Sequence, residues 1–128
     1  MKTIVFFGGG SLLINLIKVA KKEKIKCLVI TSPRHASEII NGKLNLKSFL
    51  KKSQINFFIK NKINENFLNK IISGKNCIGI SVGSPWIFTK KLISVFKSLI
   101  YNIHGAKLPE DRGGGGFSWQ ILQNKKFG

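Results

Sequence analysis

Two hydrophobic patterns alternate along this chain. Short, continuous apolar runs of strand length cover residues 3–7, 26–31, 55–60, 77–82 and 99–103. Between them, apolar residues recur at helical spacing and predict helices over residues 12–20, 45–52, 64–72, 89–96 and 117–122. Strands that alternate with helices need crossover connections, which produce a parallel sheet. The pattern therefore predicts one α/β domain built on a mostly parallel sheet.

The turns of unusual composition all follow predicted strands. They cover residues 8–11, 31–35, 83–88 and 102–116. In a parallel sheet the carboxyl ends of the strands share one edge, and ligands bind at that edge. We therefore expect a Rossmann-like, three-layer sandwich with its ligand site there. Ser11 is expected to cap the first helix, and His35 is expected to lie in an exposed loop.

The charge balance is strongly basic. The chain has 128 residues, with 22 lysines and arginines against 5 acidic residues, and its formal net charge is +17. Such a charge attracts polyphosphates and would suit a tRNA or nucleotide ligand. Lysine supplies nearly all of it, whereas arginine, the better residue for forked phosphate recognition, occurs only at Arg34 and Arg112. The lysines around the first helix and third strand are therefore interpreted first as a solvated surface. A compositional drift of the whole genome would produce the same excess of positive charge.

The remaining composition indicates a cytoplasmic protein without a metal site. Cys27 and Cys77 lie inside apolar runs, without paired-cysteine spacing or histidine neighbours, and are expected to be buried thiols in a reducing compartment. No apolar run approaches membrane-spanning length. The apolar start of the chain is interrupted at once by three glycines, so it is interpreted as a strand and not as a signal peptide. We expect no membrane partner.

The last predicted strand carries a candidate catalytic pair. If residues 99–103 form a strand, Asn102 and His104 point to the same face because side chains alternate along strands. A carboxamide can donate a hydrogen bond to a developing oxyanion, and an imidazole can move a proton near neutral pH. The pair therefore suits acyl transfer. The simpler interpretation is a strand that ends in a polar turn.

The same stretch resembles the signature of a known enzyme family. The pattern Asn-x-His-x-x-x-Leu-Pro-x-x-Arg-Gly, from Asn102 to Gly113, is similar to that of the folate-dependent formyltransferases, which include methionyl-tRNA formyltransferase and sugar-nucleotide N-formyltransferases. The resemblance implies transfer of a formyl group from 10-formyltetrahydrofolate to a primary amine. The acceptor would be methionyl-tRNA or a nucleotide-linked amino sugar. Asn102 and His104 would be the catalytic residues.

The resemblance also implies roles for other turns. In the family, the turn before the Asn-x-His strand holds the pterin ring, which here points to cofactor binding by Ser84, Pro85, Trp86 and Phe88. An ordinary core position is equally expected for Trp86 and Phe88. Acceptor binding is expected at Gly9, Gly10, Ser11, Arg112 and Gly113. For the glycine turn, the alternative is a close strand-to-helix connection that binds nothing.

One catalytic residue of the family has no counterpart in this sequence. The family's aspartate lies several dozen residues beyond the histidine, whereas the single aspartate here, Asp111, lies inside the Leu-Pro-x-x-Arg-Gly motif. We therefore expect a partial catalytic domain, truncated before the last strands and weakly active or inactive by itself. The alternative is a non-catalytic Rossmann-like module that binds a nucleotide or RNA. The oligomeric state stays open.

Overall fold

The computed structural model describes residues 2–40, 42, 44–73, 75–97 and 99–103, in which strands and helices alternate. The strands are β1 (Lys2–Gly8), β2 (Lys26–Thr31), β3 (Ile39–Ile40), β4 (Leu44–Asn45), β5 (Asn56–Ile59), β6 (Asn76–Val82) and β7 (Ile100–Ile103). The helices are α1 (Ser11–Lys22), α2 (Pro33–Ser37), α3 (Leu46–Lys52), α4 (Glu65–Ile72) and α5 (Lys90–Val95). The predicted helix over residues 117–122 lies outside the described residues.

Five of these strands form one parallel sheet in the order β5-β2-β1-β6-β7. Strand β1 lies at the centre of the sheet, where Phe7 pairs in register with Ile30 on one side and with Ser81 on the other. The direction of strand addition reverses between β1 and β6, which is the topological switch point of a doubly wound sheet. The predicted Rossmann-like α/β class is confirmed. The antiparallel pair β3–β4 was not predicted.

Helices cover both faces of the sheet and make two separate cores. On one face, α1 and α3 pack against β1, β2 and β6 through Phe6, Leu13, Ile17, Val29, Leu50 and Val82. On the other face, α4 and α5 pack through Val5, Phe7, Ile30, Leu68, Leu92, Phe96 and Ile100. Successive residues of a strand point to opposite faces, so neighbours such as Phe6 and Phe7 enter different cores. This is the three-layer arrangement that the pattern predicts.

The ends of α1 and α3 share one backbone motif. The amide of Ile25 donates to the carbonyl of Ala20 at 2.9 Å, and the amide of Lys24 donates to that of Lys21 at 3.0 Å. This pair of bonds is the Schellman motif, whose residue beyond the helix cap adopts a left-handed backbone. Lys24 occupies that position with a φ of 58°, and Gln54 occupies it after α3 with a φ of 57°. Glycine is the usual residue there because it lacks a Cβ.

The helix starts follow the expected chemistry with one exception. The side chains of Asn45, Asn64 and Thr89 accept hydrogen bonds from the first turns of α3, α4 and α5. At α1 the capping position is Gly10, without a side-chain hydrogen bond, so the prediction that Ser11 caps this helix is wrong. Ser11 is already the first residue of the helix, so the capping position is the residue before it. Among the described residues, no helix is long and apolar enough to cross a membrane.

Candidate functional site

The loops after β1 and β6 meet at the switch point, which is where a doubly wound sheet offers its binding crevice. A glycine marks the start of each connection, since β1 ends at Gly8 and Gly83 follows β6, and both glycines have positive φ values. Three other chain segments reach the same edge of the sheet. They are the start of α2 after β2, the turn after β5, and the end of β7.

The glycine turn after β1 is held tightly against the end of β6. A Cβ on Gly8 would lie 1.9 Å from the carbonyl oxygen of Val82, so no other residue fits without a backbone shift. The amide of Gly9 donates to the same oxygen at 3.1 Å. From β2, the hydroxyl of Thr31 donates to the carbonyl of Gly8 at 2.6 Å. The ends of three adjacent strands are therefore joined through one buried turn.

Gly10 leads from this turn into α1 and is open on its outer side. Its φ is 93°, and a Cβ built on it would meet no atom within 4 Å. The helix has no side-chain cap and no acidic residue in its first turn, and the side chain of Ser11 is exposed. Uncapped amides give a helix N-terminus a partial positive charge. This end of α1 therefore favours a negatively charged group.

His35 is buried against the glycine turn, so the prediction of an exposed loop histidine is wrong. It lies in α2 and is only 7% exposed. A Cβ on Gly9 would come within 2.7 Å of the imidazole ring, so the ring fills the space that a larger residue would need. A sequence signal was present, because Ser32 followed by Pro33 is a typical helix start. The hydroxyl of Ser32 indeed accepts from the amide of His35.

The hydrogen bonds of His35 indicate a neutral ring with its proton on Nδ1. The Nδ1 atom lies 2.9 Å from the hydroxyl of Ser32, and Nε2 lies 3.4 Å from the guanidinium of Arg34. A guanidinium has only donors, so Nε2 is the acceptor in that contact. Burial lowers the pKa of His35, the charge of Arg34 lowers it further, and Glu38 opposes the shift. The ring is therefore uncharged at neutral pH.

A pair of hydroxyls lies beside Asn102. Ser81 on β6 is 2% exposed, and its Oγ lies 2.9 Å from that of Ser84. Ser81 is in register with Asn102 on β7 and with Phe7 on β1, and register partners of parallel strands point to the same face. Asn102 is partly exposed. The predicted catalytic amide therefore lies at the carboxyl edge, on the face that α4 and α5 cover.

The turn after β6 divides between core and surface. Phe88 is buried, and its ring packs edge-on against Phe7 with 5.1 Å between the ring centres. Trp86 is partly exposed, and its Nε1 donates to the carbonyl of Asn61 at 3.0 Å. Pro85 and Ile87 are exposed, Ile87 by 85%. Phe88 thus has the core position that was the alternative for it, while Trp86 and Pro85 retain surface that a ligand could contact.

The structure brings most of the described candidates to one edge. Gly9, Gly10, Ser11, Ser84, Pro85, Trp86 and Asn102 lie on the loops and strand end around the switch point. His104, Arg112 and Gly113 lie outside the described residues. The shared face of Asn102 and His104 therefore stays a prediction. Ser81 joins the edge without having been singled out, whereas Ser32 and His35 belong to the turn 31–35 that was expected there but were not predicted as site residues.

The two cysteines lie away from this edge. Burial raises the pKa of the Cys27 and Cys77 thiols, against a smaller opposite effect of nearby lysines. Cys77 borders a cavity of about 510 Å³ between the ends of α4 and α5, near the amino ends of the strands. A thiol with a raised pKa is a poor nucleophile at neutral pH. In the described part of the chain, no group of three or more His, Cys, Asp or Glu could hold a metal ion.

No protein-family model matches this chain, and no curated protein sequence matches it either.

Proposed function

We propose that this chain belongs to the catalytic domain of a cytoplasmic, folate-dependent formyltransferase. The donor substrate is 10-formyltetrahydrofolate, and the acceptor is a primary amine on methionyl-tRNA or on a nucleotide-linked amino sugar. The observation that carries the proposal is the position of Asn102. Its amide is partly exposed at the carboxyl end of β7, next to Ser81 and one strand from the switch point. It also belongs to the Asn-x-His motif.

In this proposal Asn102 stabilises the charge that develops during transfer. The acceptor amine attacks the formyl carbon, and the carboxamide donates a hydrogen bond to the resulting oxyanion. The bond between the formyl carbon and the folate nitrogen then breaks. His104 takes the proton that the amine loses and returns it to the departing nitrogen, which balances charge and protons. Removal of one oxyanion donor typically costs about 10²–10³ in kcat.

The turn after β6 has features that suit the donor. Trp86 and Pro85 present apolar surface, and the Ser84 hydroxyl is paired with Ser81, which orients both groups. Beneath them, Phe88 anchors the turn by packing on Phe7, which is completely buried. Ligand pockets usually combine apolar walls with a few fixed polar groups. Phe88 therefore supports this proposed site from below and does not line it.

The glycine turn suits the acceptor. Gly9, Gly10 and Ser11 lead into the uncapped start of α1, where a phosphate of a tRNA or a nucleotide sugar would be stabilised by helix amides. Arg112 and Gly113 complete this part of the proposal as residues of the motif.

Formyl transfer by variants of Asn102 tests the proposal. Transfer from labelled donor to each acceptor would be measured for the wild type, Asn102→Ala and Asn76→Ala, the last being an exposed asparagine at the opposite end of β6. We expect Asn102→Ala to lower kcat by about 10²–10³ while donor binding is kept. Asn76→Ala should behave as the wild type. If formyl transfer by the chain alone is too slow to measure, a binding assay replaces the first assay. It follows the quenching of Trp86 fluorescence by the donor, with Trp86→Phe as the control. No donor binding would contradict the proposal.

A second function is favoured by the same glycine turn. The close packing of Gly8 and the uncapped start of α1 also fit a non-catalytic module that binds a nucleotide phosphate. Ser11→Glu places a carboxylate at this helix start, and it should abolish nucleotide binding without changing the fold. Nucleotide binding that is lost in Ser11→Glu, together with no affinity for folate, would favour this module over the transferase.

A further inference from the structure

The structure brings two groups of lysines together at the amino edge of the sheet. One group follows α1 and enters β2, and the other ends α3. Both helices cover the same face, and the ammonium of Lys21 donates to the carbonyl of Ser53 just after α3. We call this surface the basic corner, defined by Lys21, Lys22, Lys24, Lys26, Lys51 and Lys52. It lies at the opposite edge of the sheet from Asn102.

In the part of the chain that the structure describes, the charge of the basic corner is not neutralised by carboxylates. All its lysines are exposed, and Glu23 is the one acidic residue within the stretches 11–26 and 44–56. No ion pair to a carboxylate involves these lysines within the described part of the chain. Like charges at such spacing repel one another, so the arrangement costs stability when the surface faces only water.

Helix electrostatics explains the lysines in the last turns of α1 and α3, but it does not explain Lys24 and Lys26. Lysines in the last turns of α1 and α3 compensate the negative ends of the helix dipoles. Lys24 and Lys26 lie beyond the end of α1, where the dipole effect falls off. Lys24 in addition occupies the left-handed position for which glycine is the favoured residue. A lysine therefore occupies a position at which glycine would make the folded backbone more stable.

We propose that the basic corner binds the phosphate backbone of a nucleic-acid duplex without reading its sequence. Lysines act as point charges on phosphates, whereas reading bases in a groove favours the forked donors of arginine. Binding of single strands relies on aromatic platforms. The exposed apolar residues beside the corner are Val19 and Ile25, both aliphatic. The chemistry thus fits a duplex backbone better than single-stranded bases or the aromatic-rich contacts of a membrane interface. The inference does not depend on formyl transfer.

Matched charge removal on two surfaces tests the proposal. The corner variant combines Lys22→Gln, Lys24→Gln, Lys51→Gln and Lys52→Gln. The control variant combines the same change at four exposed lysines elsewhere, which are Lys62, Lys70, Lys90 and Lys91. Both variants have a formal charge of 17 − 4 = +13. Binding of the full chain to a short labelled RNA duplex, a DNA duplex of the same sequence, single-stranded RNA and anionic phospholipid vesicles would be measured over a salt series.

The expected result is a large difference between the two variants. The corner variant should bind duplex about tenfold or more weakly, and the slope of log K against log salt should fall by about one for each lysine that contacts a phosphate. The control variant should keep nearly the wild-type slope. Equal losses in both variants would overturn the proposal, because net charge alone would then explain the attraction. Preference for vesicles or for single strands over both duplexes would overturn it as well.

Glycine substitutions separate the binding role of Lys24 from a structural one. Lys24→Gly removes one corner charge and also relieves the left-handed backbone, whereas Gln54→Gly relieves the same backbone without changing charge. We expect both variants to melt at a higher temperature than the wild type. Only Lys24→Gly should bind duplex more weakly, with a salt slope reduced by about one. Unchanged duplex affinity in Lys24→Gly would count against the proposal.

Discussion

Lys24 offers the sharpest test of the backbone geometry, since replacing it with glycine should stabilise the protein. Its φ is 58°, at the position of a Schellman motif that glycine normally fills. A residue with a Cβ in the left-handed region costs roughly 1–2 kcal/mol. Glycine avoids this cost, but it also gives the unfolded chain more conformational freedom, which lowers the stability by about 0.4–1 kcal/mol. The free energy of unfolding should therefore rise by about 0.5–1 kcal/mol, and Tm by about 2–5 °C.

Urea and thermal unfolding, followed by circular dichroism, measure this change. Lys22→Gly is the matched control, because it makes the same chemical change at the last residue of α1, before the left-handed position. There glycine should lower the free energy of unfolding by up to about 1 kcal/mol. Gln54→Gly should repeat the gain at the end of α3. If Lys24→Gly and Gln54→Gly both unfold at or below the wild-type midpoint, the left-handed assignment is wrong.

Substitutions at three further positions probe the candidate site by urea unfolding. Gly8→Ala forces a Cβ against the carbonyl of Val82 and should cost more than about 3 kcal/mol; a cost below 1 kcal/mol would contradict the close approach. Thr31→Val removes the donor to the carbonyl of Gly8 and should cost about 1–3 kcal/mol, whereas Thr31→Ser should retain the bond. Because the pKa of His35 is lowered in the folded protein, the unfolded state binds more protons at acidic pH. The free energy of unfolding should therefore begin to fall as the pH drops below 6.5, and it should continue to fall until the pH reaches the folded-state pKa. His35→Gln should remove this dependence, and an unchanged pH profile would show that another group causes it.

The sheet was predictable because its strands are long enough to show their pattern. The predicted runs 3–7 and 77–82 differ from β1 and β6 by a residue or two at their ends. The helix α2 and the strands β3 and β4 were missed. A helix of five residues and strands of two are shorter than the window in which periodicity can be detected. Strand order was also not available from pattern, because it depends on which faces the helices cover.

The candidate site was only partly predictable. Asn102 follows from its motif and from the alternation of a strand, both of which are local properties of the sequence. His35 does not, because its burial comes from contact with Gly9, which lies on another strand end. Similarly, Ser81 becomes a neighbour of Asn102 only through the register of β6 and β7. Residues joined by pairing between distant segments give no periodic signal in either segment.

The pairing of β1 with β6 also has a consequence for how the protein folds. Thr3 pairs with Lys26 on β2 and with Cys77 on β6, so the two partners of one central strand leave the ribosome at very different times. Contacts between distant segments form slowly, because the chain must close a long loop first. During synthesis, β1 and β2 can pair early, while the bond from Gly9 to Val82 must wait for β6. The carboxyl edge around Gly9 and Val82 can therefore form only after β6 has been made. Until then one side of β1 is an unpaired edge, open to association with other chains.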